Sequence, residues 1–151
     1  DNTLYVTTQS APGQWTDISE VGEKVNRKKG KISGCFVTNN GKEMIVSVQV
    51  KKEGFGEYDL YRSTRQPDGT WGEMTNLGAV INTKHNEVSP YLRDNVLWFS
   101  SQGHSSIGGY DVFYSIMEDG KWSNPKNLGI PINTPADELY YIRSDKNNTN
   151  A

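Results

Sequence analysis

The sequence predicts an all-β protein built from repeated antiparallel units, and three observations support this fold class. Helical periodicity is almost absent, and short runs of β-branched and aromatic residues alternate with turn residues along the chain. A segment with Trp, Gly and Asn at fixed spacing occurs three times. The composition, with 15 Gly, 8 Tyr and 4 Trp in 151 residues, suits short strands joined by tight turns.

The repeat is defined by its spacing. In every copy Gly follows Trp by seven positions, and Asn follows Gly by four, at Trp15–Gly22–Asn26, Trp71–Gly78–Asn82 and Trp122–Gly129–Asn133. The copies are offset by 56 residues and then by 51, and the difference falls in the turns. This is the pattern expected when one supersecondary unit is duplicated and only its loops drift.

Each complete repeat is predicted to hold four strands joined by hairpins. Strand-like runs flank turn sequences at 39–42, 67–69, 94–95 and 118–120, in which Asn, Asp or Gly can accept positive φ. The predicted strands are 4–9, 15–19, 31–38, 44–50, 58–64, 70–74, 88–93, 96–101, 110–117, 121–123 and 139–142.

Antiparallel four-stranded units of this length are the sequence signature of β-propeller blades. Residues 1–143 would form a partial blade (1–22), two complete blades (31–78 and 87–129) and the start of a further blade (137–143), followed by a polar tail (144–151). Propellers close with about four to eight blades, so we predict an arc of a larger ring. The alternative is an unusually small assembly in which the C-terminal strand closes onto the N-terminal hairpin. Because the chain starts without Met and inside a repeat, we expect a segment of a longer protein.

One Trp per repeat predicts packing between blades. A Trp side chain buries about 150–250 Å², so Trp15, Trp71 and Trp122 would each seal a seam, whereas an aromatic ligand platform would need a Trp in one blade only. Trp98 lies outside this phase, and we expect it in the core as well.

The recurring polar residues are predicted to have structural roles. Asp59 and Asp111 follow Tyr at a strand start, where a carboxylate can accept N–H bonds from the Gly-rich loop before it. The Asn of each repeat is expected to bind turn backbone or adopt positive φ, and the acidic residue after it to make a contact at the blade edge. These positions are Asn26, Asn82, Asn133, Glu87 and Glu138, with Lys31 in the phase of the two glutamates.

Catalytic and metal-binding interpretations are weaker. No His or second carboxylate keeps a phase that matches the two aspartates, and His85 and His104 lack a further ligand at metal-binding spacing. We therefore predict surface imidazoles, no catalytic residue, no metal site and no cofactor.

Charge and hydropathy exclude other classes of function. The net charge is -2, from 16 basic and 18 acidic residues, so no overall field favours nucleic acid. No apolar run approaches the roughly eighteen residues of a membrane span. The single cysteine, Cys35, cannot form an internal disulfide, and its strand-like surroundings predict a small buried side chain.

A basic cluster occupies the loop between the first two repeats. It is either a solvated loop or a docking patch for an acidic partner, a glycan or a lipid headgroup. Its residues are Lys24, Arg27, Lys28, Lys29 and Lys31.

Several segments together resemble a known repeat. They are Glu-Val-Ser-Pro-Tyr-Leu (87–92), Leu-Trp-Phe-Ser-Ser (97–101), Gly-Gly-Tyr-Asp-Val-Phe (108–113), Lys-Trp-Ser-Asn-Pro-Lys-Asn-Leu-Gly (121–129) and Ile-Asn-Thr (132–134). The chain is similar to WD40-like, TolB-type propeller repeats, and more closely to those of OmpA-family envelope proteins of the Bacteroidetes. The similarity covers 57–142 well and 1–56 loosely, where the Tyr-Asp pair is lost and Gly34 stands in place of Pro90.

The resemblance implies a non-catalytic, protein-binding scaffold that is periplasmic and associated with the outer membrane. Members combine such a propeller with helical repeats and a peptidoglycan-binding domain, and one serves the type IX secretion machinery. The implied partners are envelope proteins, such as other subunits of a larger complex. Glycan or peptidoglycan would be bound through domains outside these 151 residues.

Two other functions stay open. Asp68-Gly-Thr-Trp71 and Asp119-Gly-Lys-Trp122 are similar to the Asp-box turn of sialidase-type hydrolases, but they lack its residue between Asp and Gly. Glycoside hydrolysis also needs a positioned carboxylate pair or a Tyr nucleophile, and the five arginines share no common phase. The other interpretation is glycan binding without turnover, through exposed Tyr and Trp at loop tips.

Overall fold

The computed structural model describes residues 3–26, 30–50 and 53–143. Within these ranges every regular element is a β-strand, all pairings are antiparallel and no helix occurs, so the all-β fold class is confirmed. The strands are β1 (Tyr5–Val6), β2 (Gln9–Ala11), β3 (Gln14–Trp15), β4 (Ser19–Glu20), β5 (Gly30–Val37), β6 (Glu43–Val50), β7 (Asp59–Thr64), β8 (Thr75–Asn76), β9 (Glu87–Arg93), β10 (Val96–Ser101), β11 (Asp111–Glu118), β12 (Lys121–Trp122) and β13 (Lys126–Asn127).

Two sheets of sequentially adjacent strands form the bulk of the structure. The first has the order β5-β6-β7-β8, and the second has β9-β10-β11, with β12 and β13 both pairing with β11. The N-terminal half-unit has only the outer half of this arrangement, since β1 pairs with β4 and the β2-β3 hairpin lies between them in sequence. The repeat read from the sequence is therefore a structural repeat.

Turn chemistry and bulges recur as well. Asp119 (φ 49°) and Gly120 (φ 74°) form the two-residue turn between β11 and β12, as expected for a hairpin that needs two positive φ values. The pairing of β5 with β6 shifts register between Ile32 and Gly34, and the pairing of β9 with β10 shifts at the corresponding place, beside Ser89 (φ 51°). Each sheet thus has a bulge near the start of its first strand.

Four predicted strands differ from the structure. The predicted strand 4–9 is interrupted between β1 and β2, and the predicted strand 15–19 is interrupted between β3 and β4. The fourth strand of the first sheet was expected at 70–74 but is formed by Thr75–Asn76, because after the isolated Arg65–Trp71 bridge the chain leaves the sheet edge before rejoining it. Residues 139–142 form no strand, since no neighbouring strand within the described residues is available to pair with them.

The core consists of two apolar clusters built from equivalent repeat positions. The first cluster joins the N-terminal half-unit to the first sheet, and the second joins the first sheet to the second. Members of the first are Val25, Met44, Val46, Val48, Tyr61, Trp71 and Met74, with Leu4, Val21, Ile32 and Val50 packed against them. Members of the second are Ile45, Leu60, Ile81, Leu92, Leu97, Phe99 and Phe113, with Phe36, Leu77 and Trp122 packed against them.

The equivalence of the two seams is seen position by position. Tyr61 and Trp71 face the preceding unit in the first seam, and their counterparts Phe113 and Trp122 do so in the second. The residues that cover them are also counterparts, namely Leu4, Val21 and Val25 in the first seam and Leu60, Leu77 and Ile81 in the second. Successive units are therefore stacked with the same contacts.

Candidate interaction surface

The recurring Asn side chains bind the third strand of their own unit. The Asn82 Oδ1 accepts the N–H of Leu60 at 2.8 Å, and its Nδ2 donates to the carbonyl of Leu60 at 3.0 Å. Asn133 makes the same pair with Val112, at 2.8 and 2.9 Å. Asn26 makes it with Leu4, at 2.8 and 2.9 Å. In each case the side chain acts like a short piece of neighbouring strand, because it offers one acceptor and one donor to a residue's backbone.

A further Asn, which the sequence analysis did not single out, extends this network. Asn76 accepts a bond from Asn82 Nδ2 at 2.8 Å and donates to the carboxylate of Asp59 at 3.2 Å. The second sheet repeats the arrangement with Asn127, which is 2.6 Å from Asn133 and 2.8 Å from Asp111. The signal was present in the Asn-Leu-Gly sequence that the two complete repeats share, at 76–78 and 127–129.

The two buried aspartates hold the loop that precedes their strands. Asp59 accepts the N–H groups of Phe55 at 2.6 Å and Gly56 at 3.0 Å. Asp111 accepts those of Ile107 at 2.5 Å and Gly108 at 3.4 Å. With the bond from the neighbouring Asn, both carboxylate oxygens face donors only, so these groups have a structural use in the fold.

The two glutamates cap the turn before the first strand of a unit. Glu87 accepts the N–H of Thr83 at 2.9 Å and its hydroxyl at 2.7 Å, and it also accepts the hydroxyl of Ser101 at 2.8 Å. Glu138 repeats the two bonds with Thr134, at 3.0 and 2.5 Å. Glu87 is fully buried and not at an edge, and this burial raises the pKa of its carboxyl.

Two open clefts lie between the two sheets. One of 460 Å³ is lined by residues that include Arg62 and Trp122, and another of 730 Å³ includes His104 and Asn127. His104 packs against the ring of Phe113 at a centroid distance of 5.3 Å and places Nε2 3.0 Å from the carbonyl of Ile81. Partial burial lowers the pKa of its imidazole. In the described part of the chain, no group of three or more His, Cys, Asp or Glu residues could hold a metal ion.

Asp68, which lies in the turn that is similar to the Asp-box, also has a hydrogen-bonded carboxylate. Asp68 Oδ1 accepts the N–H of Thr70 at 2.9 Å and its hydroxyl at 2.7 Å, which closes the hairpin turn. These two bonds, followed by the charge of Lys24, hold the pKa of Asp68 below its usual range.

The three repeat tryptophans have different surroundings. Trp71 is buried in the first seam and Trp122 packs partly buried in the second. Trp15, in contrast, is 61% exposed, so within the described residues it does not seal a seam. The reason is its place in the stack, because the face that carries Trp15 is the outer face of the first unit. Trp98 is buried.

Trp15 belongs to an exposed apolar face that the sequence analysis missed. Tyr5, Trp15 and Ile18 are 54%, 61% and 74% exposed, and together they form what we call the N-terminal face. The equivalent residues 56 positions later, Tyr61, Trp71 and Met74, are only 3%, 8% and 5% exposed. Aligning the repeats residue by residue would have indicated this surface, since its members occupy seam positions.

Cys35 is also left exposed because no neighbouring unit within the described residues covers it. It was expected to be buried, but it is exposed, as are the other odd-numbered positions of β5. The N-terminal half-unit contributes no first or second strand that could cover this part of β5.

The basic cluster lies partly outside the described residues. Lys24 and Lys31 are exposed, whereas Arg27, Lys28 and Lys29 are not among the residues that the structure describes. The structure therefore adds the exposure of two lysines to the prediction of a docking patch.

At the other end of the stack, the C-terminal segment 139–143 lies over the second sheet. The ring of Tyr141 is 6.2 Å from that of Trp98, and the hydroxyl of Tyr91 donates to the carbonyl of Arg143 at 3.3 Å. The remaining apolar side chains of this segment are strongly exposed, including Tyr140 and Ile142 at 72% and 73%. Both ends of the stack thus present apolar surface.

No helix in the described residues has the length and apolar character needed to cross a membrane. Comparison of the chain with protein-family models, with curated proteins and with solved structures found no match.

Proposed function

We propose that the chain is an arc of a β-propeller that serves as a non-catalytic, protein-binding scaffold of the bacterial cell envelope. The propeller is supported by the equivalence of the two seams, because a ring of blades requires each unit to contact the next in the same way. The periplasmic, outer-membrane-associated location, with a role in a secretion-associated or peptidoglycan-anchored complex, rests on the family resemblance.

The scaffold function is supported by one observation: the recurring polar side chains are hydrogen-bonded within the fold, whereas large apolar side chains are exposed. The recurring carboxylates and amides of the complete units bond to backbone or to one another within their own unit, as Asp59, Asn76 and Asn82 do. The exposed surface instead offers large apolar side chains at the ends of the stack. Exposed apolar patches of this kind favour protein–protein contact.

Site-specific photo-cross-linking tests this function. A cross-linking amino acid placed at Phe55, an exposed loop position of the first sheet, should give adducts with envelope proteins in Bacteroidetes cells less often than the same group at Tyr140 or Ile18. Discrete adducts with identified envelope proteins at the end positions would support the proposal. Equal, diffuse labelling at all three positions would contradict it.

A turnover assay tests the competing hydrolase. We expect no cleavage of chromogenic glycosides, including sialosides, beyond the rate of a heat-denatured sample. Turnover that disappears on Asp59→Asn or Asp111→Asn, in variants shown to remain folded, would replace the scaffold with a carbohydrate-active enzyme.

A further inference from the structure

We propose that the N-terminal face, formed by Tyr5, Trp15 and Ile18, binds the C-terminal end of a second copy of this chain, head to tail. This inference rests on the proposed repeat architecture and deepens the proposed function by naming one partner, a second copy.

The internal seams show which surface fits this face. In the first seam Tyr61 and Trp71, the counterparts of Tyr5 and Trp15, belong to the cluster that Leu4, Val21 and Val25 complete. In the second seam the corresponding cover comes from Leu60, Leu77 and Ile81. The same chain therefore builds this contact twice, from the same repeat positions.

The last unit carries a third copy of the covering surface. The counterparts of Leu60, Leu77 and Ile81 in the second sheet are Val112, Leu128 and Ile132. Val112 is already buried and Leu128 is partly buried, so Ile132 is the exposed member of the three. Ile81 is fully buried under the next unit, whereas Ile132 is 42% exposed. The second sheet thus presents an exposed apolar side chain, Ile132, in the repeat position that covers Trp71 and Trp122 in the two seams.

The strands at the two ends are complementary parts of one unit. Among the described residues, the N-terminal half-unit contains the third and fourth strands, β1 and β4, but neither the first nor the second. Residues 138–143 follow the course of a first strand, because Glu138 repeats the bonds of Glu87, and Tyr140 (φ 61°) repeats the positive φ of Ser89. One copy can therefore supply the first strand and the other copy the third and fourth strands of a shared unit, whose second strand is not among the described residues.

A buried hydroxyl indicates that this last unit is incomplete. In the first sheet, Ser47 Oγ donates to the carbonyl of Glu87 at 2.7 Å, which ties the sheet to the next unit. Its counterpart Ser100 is 1% exposed, yet its Oγ has no hydrogen-bond partner among the described residues. A buried hydroxyl without a partner is unfavourable. Seating of the 138–143 segment against a complete unit would bring the carbonyl of Glu138 into the place that Glu87 occupies for Ser47.

Sedimentation velocity of the purified chain over a wide concentration range tests the proposal. We expect the weight-average mass to rise with concentration. Trp15→Glu places a charge in the N-terminal face, and Ile132→Glu places one in the C-terminal surface that should bind it. Each variant should weaken self-association about 30-fold or more, as expected for a central apolar contact. Phe55→Glu, which changes an exposed aromatic residue away from both ends, is the control and should leave self-association unchanged.

Mixing the two variants makes the test independent of folding defects. Each variant keeps one intact face, so Trp15→Glu and Ile132→Glu should each be monomeric alone but form a 1:1 dimer when mixed. A misfolded variant could not restore the dimer. A wild-type chain that stays monomeric throughout, or a dimer that Ile132→Glu leaves intact, would overturn the proposal.

The outcomes separate this inference from the proposed function. If the wild-type chain is monomeric but cross-links through Ile18 to an envelope protein, the second copy is wrong and the scaffold stands. If self-association occurs and no envelope protein is cross-linked, the scaffold function is contradicted while the head-to-tail contact remains.

Discussion

Asn82 bridges the backbone of Leu60 with both ends of its amide, at 2.8 Å to the N–H and 3.0 Å to the carbonyl. Both residues are buried, and Leu60 belongs to the cluster that joins the two sheets. The bridge therefore fixes the turn that follows β8 against the strand that forms the seam. Its recurrence at Asn26 and Asn133 shows that one local device positions all three units.

Removal of this bridge should be costly. Asn82→Ala leaves two buried backbone groups of Leu60 without partners, so we expect the free energy of unfolding to fall by about 2–4 kcal/mol. Asn26→Ala is the comparison, and it should cost about 1 kcal/mol, because Asn26 is only partly buried and water can replace its bonds. Urea unfolding measures both values. Equal, small losses in the free energy of unfolding would show that the bridge does not stabilise the turn.

The buried aspartate should not tolerate an isosteric amide. Both oxygens of Asp59 face donors, from Phe55, Gly56 and Asn76. Asp59→Asn therefore turns an amide NH₂ towards at least one N–H group, and we expect a loss of about 2–3 kcal/mol in the free energy of unfolding.

The exposed turn residue Asp68 gives the comparison for this substitution. One of its oxygens makes both bonds to Thr70, so Asp68→Asn can keep them and should leave the free energy of unfolding almost unchanged. If Asp59→Asn were equally silent, the carboxylate would be free for another role, such as ligand binding.

The stability lost on replacing a repeat tryptophan should depend on its position in the stack. Trp71→Ala removes a side chain buried in the first seam, and we expect it to lower the free energy of unfolding by about 3–5 kcal/mol. Trp15→Ala, at the same repeat position on the exposed N-terminal face, should cost less than about 1 kcal/mol. Thermal or urea unfolding at low protein concentration makes the comparison. Similar losses for both would mean that Trp15 is also in a seam.

Burial of Glu87 should make stability depend on pH in a definite direction. Because burial raises the pKa of this carboxyl, the folded protein holds its proton more tightly than the unfolded chain. Between the ordinary carboxyl pKa of about 4.3 and the raised value, the folded state binds more protons. This contribution to the free energy of unfolding therefore decreases as the pH rises through that window.

The variant Glu87→Gln should remove this decrease, since the amide does not ionise. Glu138→Gln makes the same change at the equivalent, partly exposed position and serves as the comparison. Urea unfolding from pH 4 to pH 8 compares the two with the wild-type chain. A Glu87→Gln variant with the full wild-type pH dependence would assign the effect to other groups.

The repeat and the strand class could be predicted from the sequence because they depend on local chemistry. The fixed spacing of Trp, Gly and Asn predicted equivalent units, and the structure gives Asn82 and Asn133 identical bonds. Asp59 and Asp111 accept backbone N–H groups from the preceding loops, a role that a carboxylate beside Gly-rich sequence indicates.

The remaining features depend on what lies next to each unit, which spacing does not show. Trp15 and Trp71 share a repeat position, but only Trp71 has a unit packed over it. Residues 139–142 have the residue types of a strand, but a strand needs a paired neighbour. Cys35 is exposed for the same reason, since its cover would come from strands that the N-terminal half-unit does not contain.

The stacking of equivalent units is tested most directly by ¹⁹F NMR of the chain labelled with 5-fluorotryptophan, recorded with a soluble paramagnetic agent. Ile132→Glu as background keeps the protein monomeric. We expect the Trp15 resonance to broaden strongly, that of Trp122 to broaden partly, and those of Trp71 and Trp98 to stay sharp. Equal broadening of Trp71 and Trp15 would contradict a seam at Trp71 and with it the stacked arrangement.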